Sequence, residues 1–312
     1  MITGAASADA GIVIVDVTEG IQEQTSRHAF FLKLLGVSQT LVLVNKMDLV
    51  DYSQSEFLKL CEALSELEGK VGISWRYILP VSAQFGENLT SPSRKMSWYE
   101  GPCFLEALQS FHAPPQPSDL PLRFPIQDVY ERGGVPIAVG RIESGLIEVG
   151  EEVIFMPNGL KTKVCKIFSY GKEKVRAEAG ECPGLVFEDS KALKRGEVVG
   201  AVDNPPKVFQ RFLGKIFWLS KERLEVNDEF TLRCATQAVP AKVSKILSRY
   251  NSSTLKEIGS FEKALYESEV GEVEIVTREP FVVEKFVDVP ELGRFVLSRE
   301  GENLGAGIVT EV

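Results

Sequence analysis

Thr40-Leu41-Val42-Leu43-Val44-Asn45-Lys46-Met47-Asp48 is the stretch on which the reading of this chain turns. Thr40 to Val44 is apolar enough for a strand buried on both faces, and a polar tetrad follows it without a gap. Upstream, Gly11 to Val17 is a second strand run, and Gln24 to Leu35 has helical spacing with Phe30, Leu32, Leu34 and Leu35 available to a core. Downstream, Ser53 to Leu67 reads as an amphipathic helix, opened by the capping-box pair Ser53 and Glu56. Trp75 to Val81 is a third strand that runs into Ser82-Ala83, and Gly101 to Phe111 is a last helix with Pro102 in its first turn. Strand–helix alternation of this kind predicts a parallel sheet with helices on its faces. Ligands of such sheets sit beyond the carboxyl ends of the strands, where both polar motifs fall.

The chemistry of the tetrad follows from what a guanine base displays. Its N1–H and N2–H₂ lie side by side, and one carboxylate, here Asp48, can accept from both. Asn45 is placed to meet the other edge of the base and brace the loop, while the Lys46 stem can cover a ring face. The backbone N–H of Ala83, after Ser82, can be set against the guanine O6. Adenine lacks the paired donors, so it would leave a buried carboxylate unpaired and be rejected. The competing reading is a plain polar turn at a strand end; Ser-Ala one strand later, in the same topology, favours base recognition.

The whole chain of 312 residues suits two or three domains. Ala113 to Pro121 is a proline-rich, stiff segment, and beyond it short β-rich runs with glycine corners replace helices. Asn204-Pro205-Pro206 makes a second break. The predicted organisation is an α/β domain over 1–113, a linker over 114–121, and two β-barrels over 122–205 and 206–312. Residues 1–113 hold 8 basic and 13 acidic residues and the rest 27 and 31, so neither part is basic. That balance disfavours a dedicated nucleic-acid partner. The longest apolar runs are strand-sized, and no basic leader precedes them, so a membrane span and a signal peptide are not expected and a cytoplasmic protein is. Five scattered cysteines without a CxxC pair read as reduced thiols, and only His28 and His112 are available for histidine chemistry. No metal site and no catalytic residue is predicted; His28 reads as a surface or packing histidine.

Taken with their order, these motifs resemble a known family, the translation-factor-type GTPases. Asn45-Lys46-Met47-Asp48 with Ser82-Ala83 is similar to their base-recognition half. Met1 to Ala5 and Gln24 to His28 resemble the stretch after the second switch, and Gly140 to Gly145 with Val149-Gly150-Glu151 resembles the second-domain barrel. Leu292 to Leu297 and Ala306 to Val309 resemble the end of the third domain. The resemblance implies a partial P-loop GTPase-type sheet followed by two β-barrels, with GTP or GDP as the ligand of Asn45, Lys46, Asp48, Ser82 and Ala83. Within the family, Thr236 to Ala241 and Asn251 to Leu255 look most like the GTPase subunit of sulfate adenylyltransferase. On that branch the partner is the catalytic small subunit that makes adenylylsulfate. The alternatives are an elongation or ribosome-rescue GTPase, which Pro290 to Phe295 also resembles, and a scaffold with a vestigial nucleotide site.

One departure from the family pattern is plain. No G-x-x-x-x-G-K-[ST] occurs: Gly69-Lys70, Gly171-Lys172 and Gly214-Lys215 are followed by Val, Glu and Ile, and there is no D-x-x-G. The phosphate cradle, the magnesium ligands and the water-positioning histidine of the family are therefore not in these residues, and the chain alone is expected not to hydrolyse GTP. The expectation is a truncated or split protein. Gly11 to Val17 then forms an open edge, to be met by a missing N-terminal segment of the domain or by a second copy.

Overall fold

The computed structural model describes residues 8–112, 117–190, 193–252, 257–260 and 263–312. The chain divides into two compact units, the first made mainly of the residues up to 112 and the second mainly of those from 117 onward. Met1 to Ala5, residues 114–116 of the linker and residues 253–255 lie outside the described residues.

The first unit is a parallel sheet of three strands in the order β1 (Ala10–Asp16), β2 (Gln39–Asn45) and β3 (Trp75–Pro80). β2 is central and buried from Thr40 to Val44, as its unbroken apolar run requires. Helices Glu23–Leu34 and Gln54–Val71 cover one face. Phe57, Leu60, Leu64, Leu67 and Val71 recur on a single stripe of the longer helix and meet Val13, Val15, Val42 and Val44. Burying each such side chain stabilises the fold by about 1.5–3 kcal/mol. Ser53 caps this helix by accepting from the Glu56 amide, while the Glu56 carboxylate turns to Lys59 instead of closing the capping box. Gly72, at φ +70°, ends it.

The last helix is shorter than its sequence pattern suggests. It runs Phe104–Gln109, because Cys103 takes the cap position and its amide is held by the Glu106 carboxylate at 2.9 Å; Pro102 stays outside. Its Ala107 packs with Leu41, Leu43, Leu79 and Val81 on the other face of the sheet. That cover stops short of β1, where Ile12 is 42% and Ile14 63% exposed. Among the described strands β1 pairs with β2 alone, so it is an edge.

The second unit holds two closed barrels. In the first, the strands run in the order Gly184–Phe187, Val135–Gly140, Arg123–Arg132, Val198–Ala201, Glu152–Met156 and Leu160–Ser169, and the last pairs back with the first. Gly133 and Gly134, both left-handed, make the two-residue turn between Arg132 and Val135. In the second barrel the order is Glu229–Cys234, Arg294–Arg299, Glu302–Glu311, Val208–Trp218, Glu269–Val282 and Gln237–Asn251, again closed by pairing of the first strand with the last. Closure removes the open edges that small sheets otherwise present.

Two polar clusters link the barrels. Arg123, from the first strand of the first barrel, is 4% exposed and pairs with Glu284 at 2.9 Å; its Nη1 reaches the backbone carbonyls of Leu122 and Asn204, and its Nη2 the Asn204 side-chain oxygen. Glu143 lies beside Arg141 and near Glu291 and Arg294 of the second barrel. Burial, and next the Glu291 carboxylate, push it up to about 7. No helix among the described residues is long and apolar enough to cross a membrane.

Candidate functional site

Parallel pairing brings the carboxyl ends of the three strands together. β1 and β2 are in register with Asp16 opposite Asn45, and β3 delivers Ser82 and Ala83 beside them. The Met47 amide donates to the Val81 carbonyl at 3.2 Å, which ties the tetrad to the end of β3.

All five residues singled out from the sequence fall at this end of the sheet, and each bonds to at least one of the others. Asn45 Oδ1 accepts from the Lys46 amide at 2.8 Å and from the Ala83 amide at 3.0 Å. The Ala83 N–H is thus already engaged by Asn45 instead of standing free, and Asn45 Nδ2 is left without an acceptor among the described residues. The Ser82 hydroxyl, wholly buried, donates to Asp48 Oδ1 at 2.5 Å. Asp48 Oδ2 takes no hydrogen bond among the described residues, so the carboxylate is anchored by one oxygen and open at the other. An anchored carboxylate and a braced amide of this kind fit a flat base with adjacent donors on one edge and acceptors on the other.

Lys46 does not point at Asp48. Its backbone is left-handed, φ 66° and ψ 32°, and its ammonium pairs with Asp16 Oδ2 at 2.7 Å. Burial drives the Asp16 carboxyl upward, but the Lys46 ammonium and the Thr18 hydroxyl and amide outweigh it and hold Asp16 down to about 2. The Lys46 ammonium is raised in turn, chiefly by its bond to Asp16. This tether stretches the lysine stem across the strand ends. Asp16 was not among the sequence candidates, though its signal was there: in-register parallel strands of equal length must place the residue ending β1 beside the one ending β2.

His28 lines a cleft of about 330 Å³ with Asp16, Thr25, Asn45 and Lys46, and burial, then Arg27, lowers its pKa. Asp48, Ser82 and Ala83 are not part of that cleft. A larger groove, about 1050 Å³, lies on the outer face of the first barrel. Ile137, Val139, Phe168 and Val186 form its floor, and Tyr130 and Tyr170 its margin. Outward apolar residues at alternate positions of Val135–Gly140 signal such a face, and sequence reading passed over them.

Comparison with known proteins bears on the whole chain. Residues 1–154 match the family described as Elongation factor Tu GTP binding domain, and residues 211–310 the family described as GTP-eEF1A C-terminal domain-like. Elongation factor 1-alpha of Methanothermobacter thermautotrophicus is 35% identical over 318 residues, covering 100% of this chain and 77% of the relative. Its counterpart in Methanocaldococcus jannaschii is 36% identical over 322 residues, covering 100% and 75%. The solved structure of sup35 complexed with GDP superposes with a TM-score of 0.61 at 24% identity, covering 100% of this chain and 80% of that one. Its complex with GMPPNP gives 0.60 at 25%, covering 99% and 80%.

These findings correct the sulfate-activation reading. The relatives are elongation factors, so neither a sulfate adenylyltransferase subunit nor its small-subunit partner is supported. Thr236 to Ala241, which suggested that branch, is the last turn residue after Glu229–Cys234 and the first five residues of Gln237–Asn251. Its residues pair with Glu229–Cys234 and so take part in closing the barrel. The net charge of −9 misled in the same direction, since a total says nothing of any one face. With elongation-factor relatives along its whole length and the sheet-then-barrels fold, the chain belongs to the family of translation-factor GTPases that includes elongation factor 1-alpha.

Proposed function

We propose that the chain serves translation elongation as a guanine-nucleotide-binding factor, with GTP or GDP held by its base at Asn45, Lys46, Asp48, Ser82 and Ala83. The observation that carries this is the Asp48 carboxylate, pinned by Ser82 at one oxygen and free at the other. In this reading Oδ2 accepts from one of guanine N1–H and N2–H₂, and Oδ1, which keeps a lone pair, accepts from the other. Asn45 Nδ2 donates to the O6 and N7 edge, and the Ala83 amide keeps Asn45 oriented. The Lys46 stem, tethered by Asp16, lies against a ring face. Adenine offers a single amino group and no N1–H, and would leave the carboxylate half-satisfied.

The domains proposed are the base-binding domain over 1–113, the linker over 114–121 and barrels over 122–205 and 206–312. An elongation factor works on the ribosome with tRNA, and the outer groove of the first barrel offers a contact surface. Its exposed Tyr130 and Tyr170 beside aliphatic floor residues suit a partner of mixed apolar and polar surface.

None of these residues holds phosphates, so base contacts alone give about millimolar affinity, roughly −4 kcal/mol. Amide NMR of the full chain with millimolar GDP or ADP tests the assignment. Shifts at Asn45–Asp48 and Ser82–Ala83 are expected with GDP only, and are lost in Asp48→Ala. Equal shifts with ADP, or none with GDP, overturn it.

A further inference from the structure

The two turns that carry the base-site residues are each held by something outside the motif. After Asp48 the chain passes through Asp51 and Tyr52, both left-handed, with φ 51° and 56°. Two consecutive non-glycine residues in that region are strained, and a tyrosine reaches it only under constraint. The constraint is visible. The Tyr52 amide donates to the Met47 carbonyl at 2.8 Å, its carbonyl accepts from Trp98 Nε1 at 3.0 Å, and its hydroxyl accepts from Lys95 Nζ at 3.2 Å.

The Ser82-Ala83 turn is held by the same segment. Ser82 and Glu87 exchange amide bonds at 3.2 and 3.1 Å, closing a tight loop over Ala83, Gln84, Phe85 and Gly86. Glu87 then binds Ser93 through one carboxylate oxygen, at 2.5 Å, and Lys95 through the other, at 2.9 Å. The Lys95 ammonium also sits 4.8 Å from the centre of the Tyr52 ring and 5.6 Å from that of Phe85. Residues 93–98 are themselves fixed: Met96 is buried, and the Trp98 ring lies 5.4 Å from Phe57 on helix Gln54–Val71.

We infer that Ser93 to Trp98 is a strap, with Lys95 as its hub, that locks the turn after Asp48 to the turn after Ser82 and so presets the spacing of the two halves of the base site. Lys95 is a positioning residue: none of its contacts is to Asn45, Lys46, Asp48, Ser82 or Ala83, and it acts through Tyr52, Glu87 and Phe85. One ammonium satisfies three groups from two loops, a role a neutral side chain cannot fill. The inference rests on the guanine-base reading for what the preset spacing serves, and on the contacts above for the strap itself.

Amide hydrogen exchange on the full, nucleotide-free chain tests the strap. Lys95→Met should raise exchange at the Ser82, Ala83, Glu87 and Tyr52 amides about three- to tenfold. Lys95→Arg, which keeps the charge, should restore most of the protection. Lys59→Met, which removes an ordinary helix ion pair with Glu56, should leave those amides unchanged. Unchanged exchange in Lys95→Met overturns the strap. A parallel titration with GDP and ADP separates the two readings. GDP preference that weakens in Lys95→Met and returns in Lys95→Arg supports both. A wild-type chain that does not prefer GDP removes the base-site reading, and exchange alone then decides the strap.

Discussion

Arg123→Met should destabilise the barrels by about 3–5 kcal/mol, the usual result of breaking a buried ion pair by removing one partner. The figure follows from what is left behind. Glu284 is 5% exposed, and the Arg123 Nε bond at 2.9 Å is the one side-chain hydrogen bond to its carboxylate among the described residues. The carbonyls of Leu122 and Asn204 also lose donors at 2.9 Å. Methionine fills most of the volume, so the loss is electrostatic and not a cavity. For a unit of this size each kcal/mol moves the melting temperature by about 2–4 °C, so calorimetry should record a fall of roughly 6–20 °C. Adding Glu284→Leu removes the stranded carboxylate and should recover most of that fall, since an apolar pair replaces a buried ion pair at little net loss. A single variant within about 2 °C of wild type, or a double variant no better than the single, would refute the reasoning.

Glu143→Gln addresses pH. A carboxyl raised from 4.5 to about 7 binds its proton more tightly folded than unfolded, so its contribution is full below pH 4.5 and is lost as the pH rises to about 7. Urea midpoints across that window should fall with pH in the wild type and flatten in the variant; parallel slopes would reject the assignment. Gly140→Ala should cost about 1–3 kcal/mol, because a Cβ there meets the Pro125 carbonyl and the buried Phe124 ring. A calorimetric shift near zero would show that the strand can yield there.

The parallel sheet was legible because β2 is uniformly apolar and its polar tetrad ends it, so strand, end and motif coincide. The barrels were legible from glycine-punctuated short strands after a proline-rich segment. What escaped reading was contact between residues distant in sequence. Nothing local marks Lys95 as a partner of Tyr52, 43 residues away, or Arg123 as a partner of Glu284. The start of the helix Phe104–Gln109 was misplaced because Pro102 is a commoner opening signal than a cysteine cap. The family branch was misjudged for another reason: a match of a few residues at one turn and strand of a barrel carries too little information to separate branches.

The left-handed backbone of Lys46 has a consequence for how this chain divides stability from use. A lysine there costs about 1–2 kcal/mol relative to a relaxed conformation, and glycine would carry no such penalty. Glycine would instead lose more freedom on folding, by about 0.5–1 kcal/mol, and would forfeit the half-exposed pair with Asp16, worth about 0.2–1 kcal/mol, so Lys46→Gly should leave the melting temperature almost where it was. What the exchange removes is the stem over the strand ends and the tether to Asp16. The position is thus nearly silent to any screen that scores folding, and on the proposed base-site reading it is decisive for any that scores ligand. A survey of thermal stability alone would pass over one of the residues closest to the proposed work of the molecule.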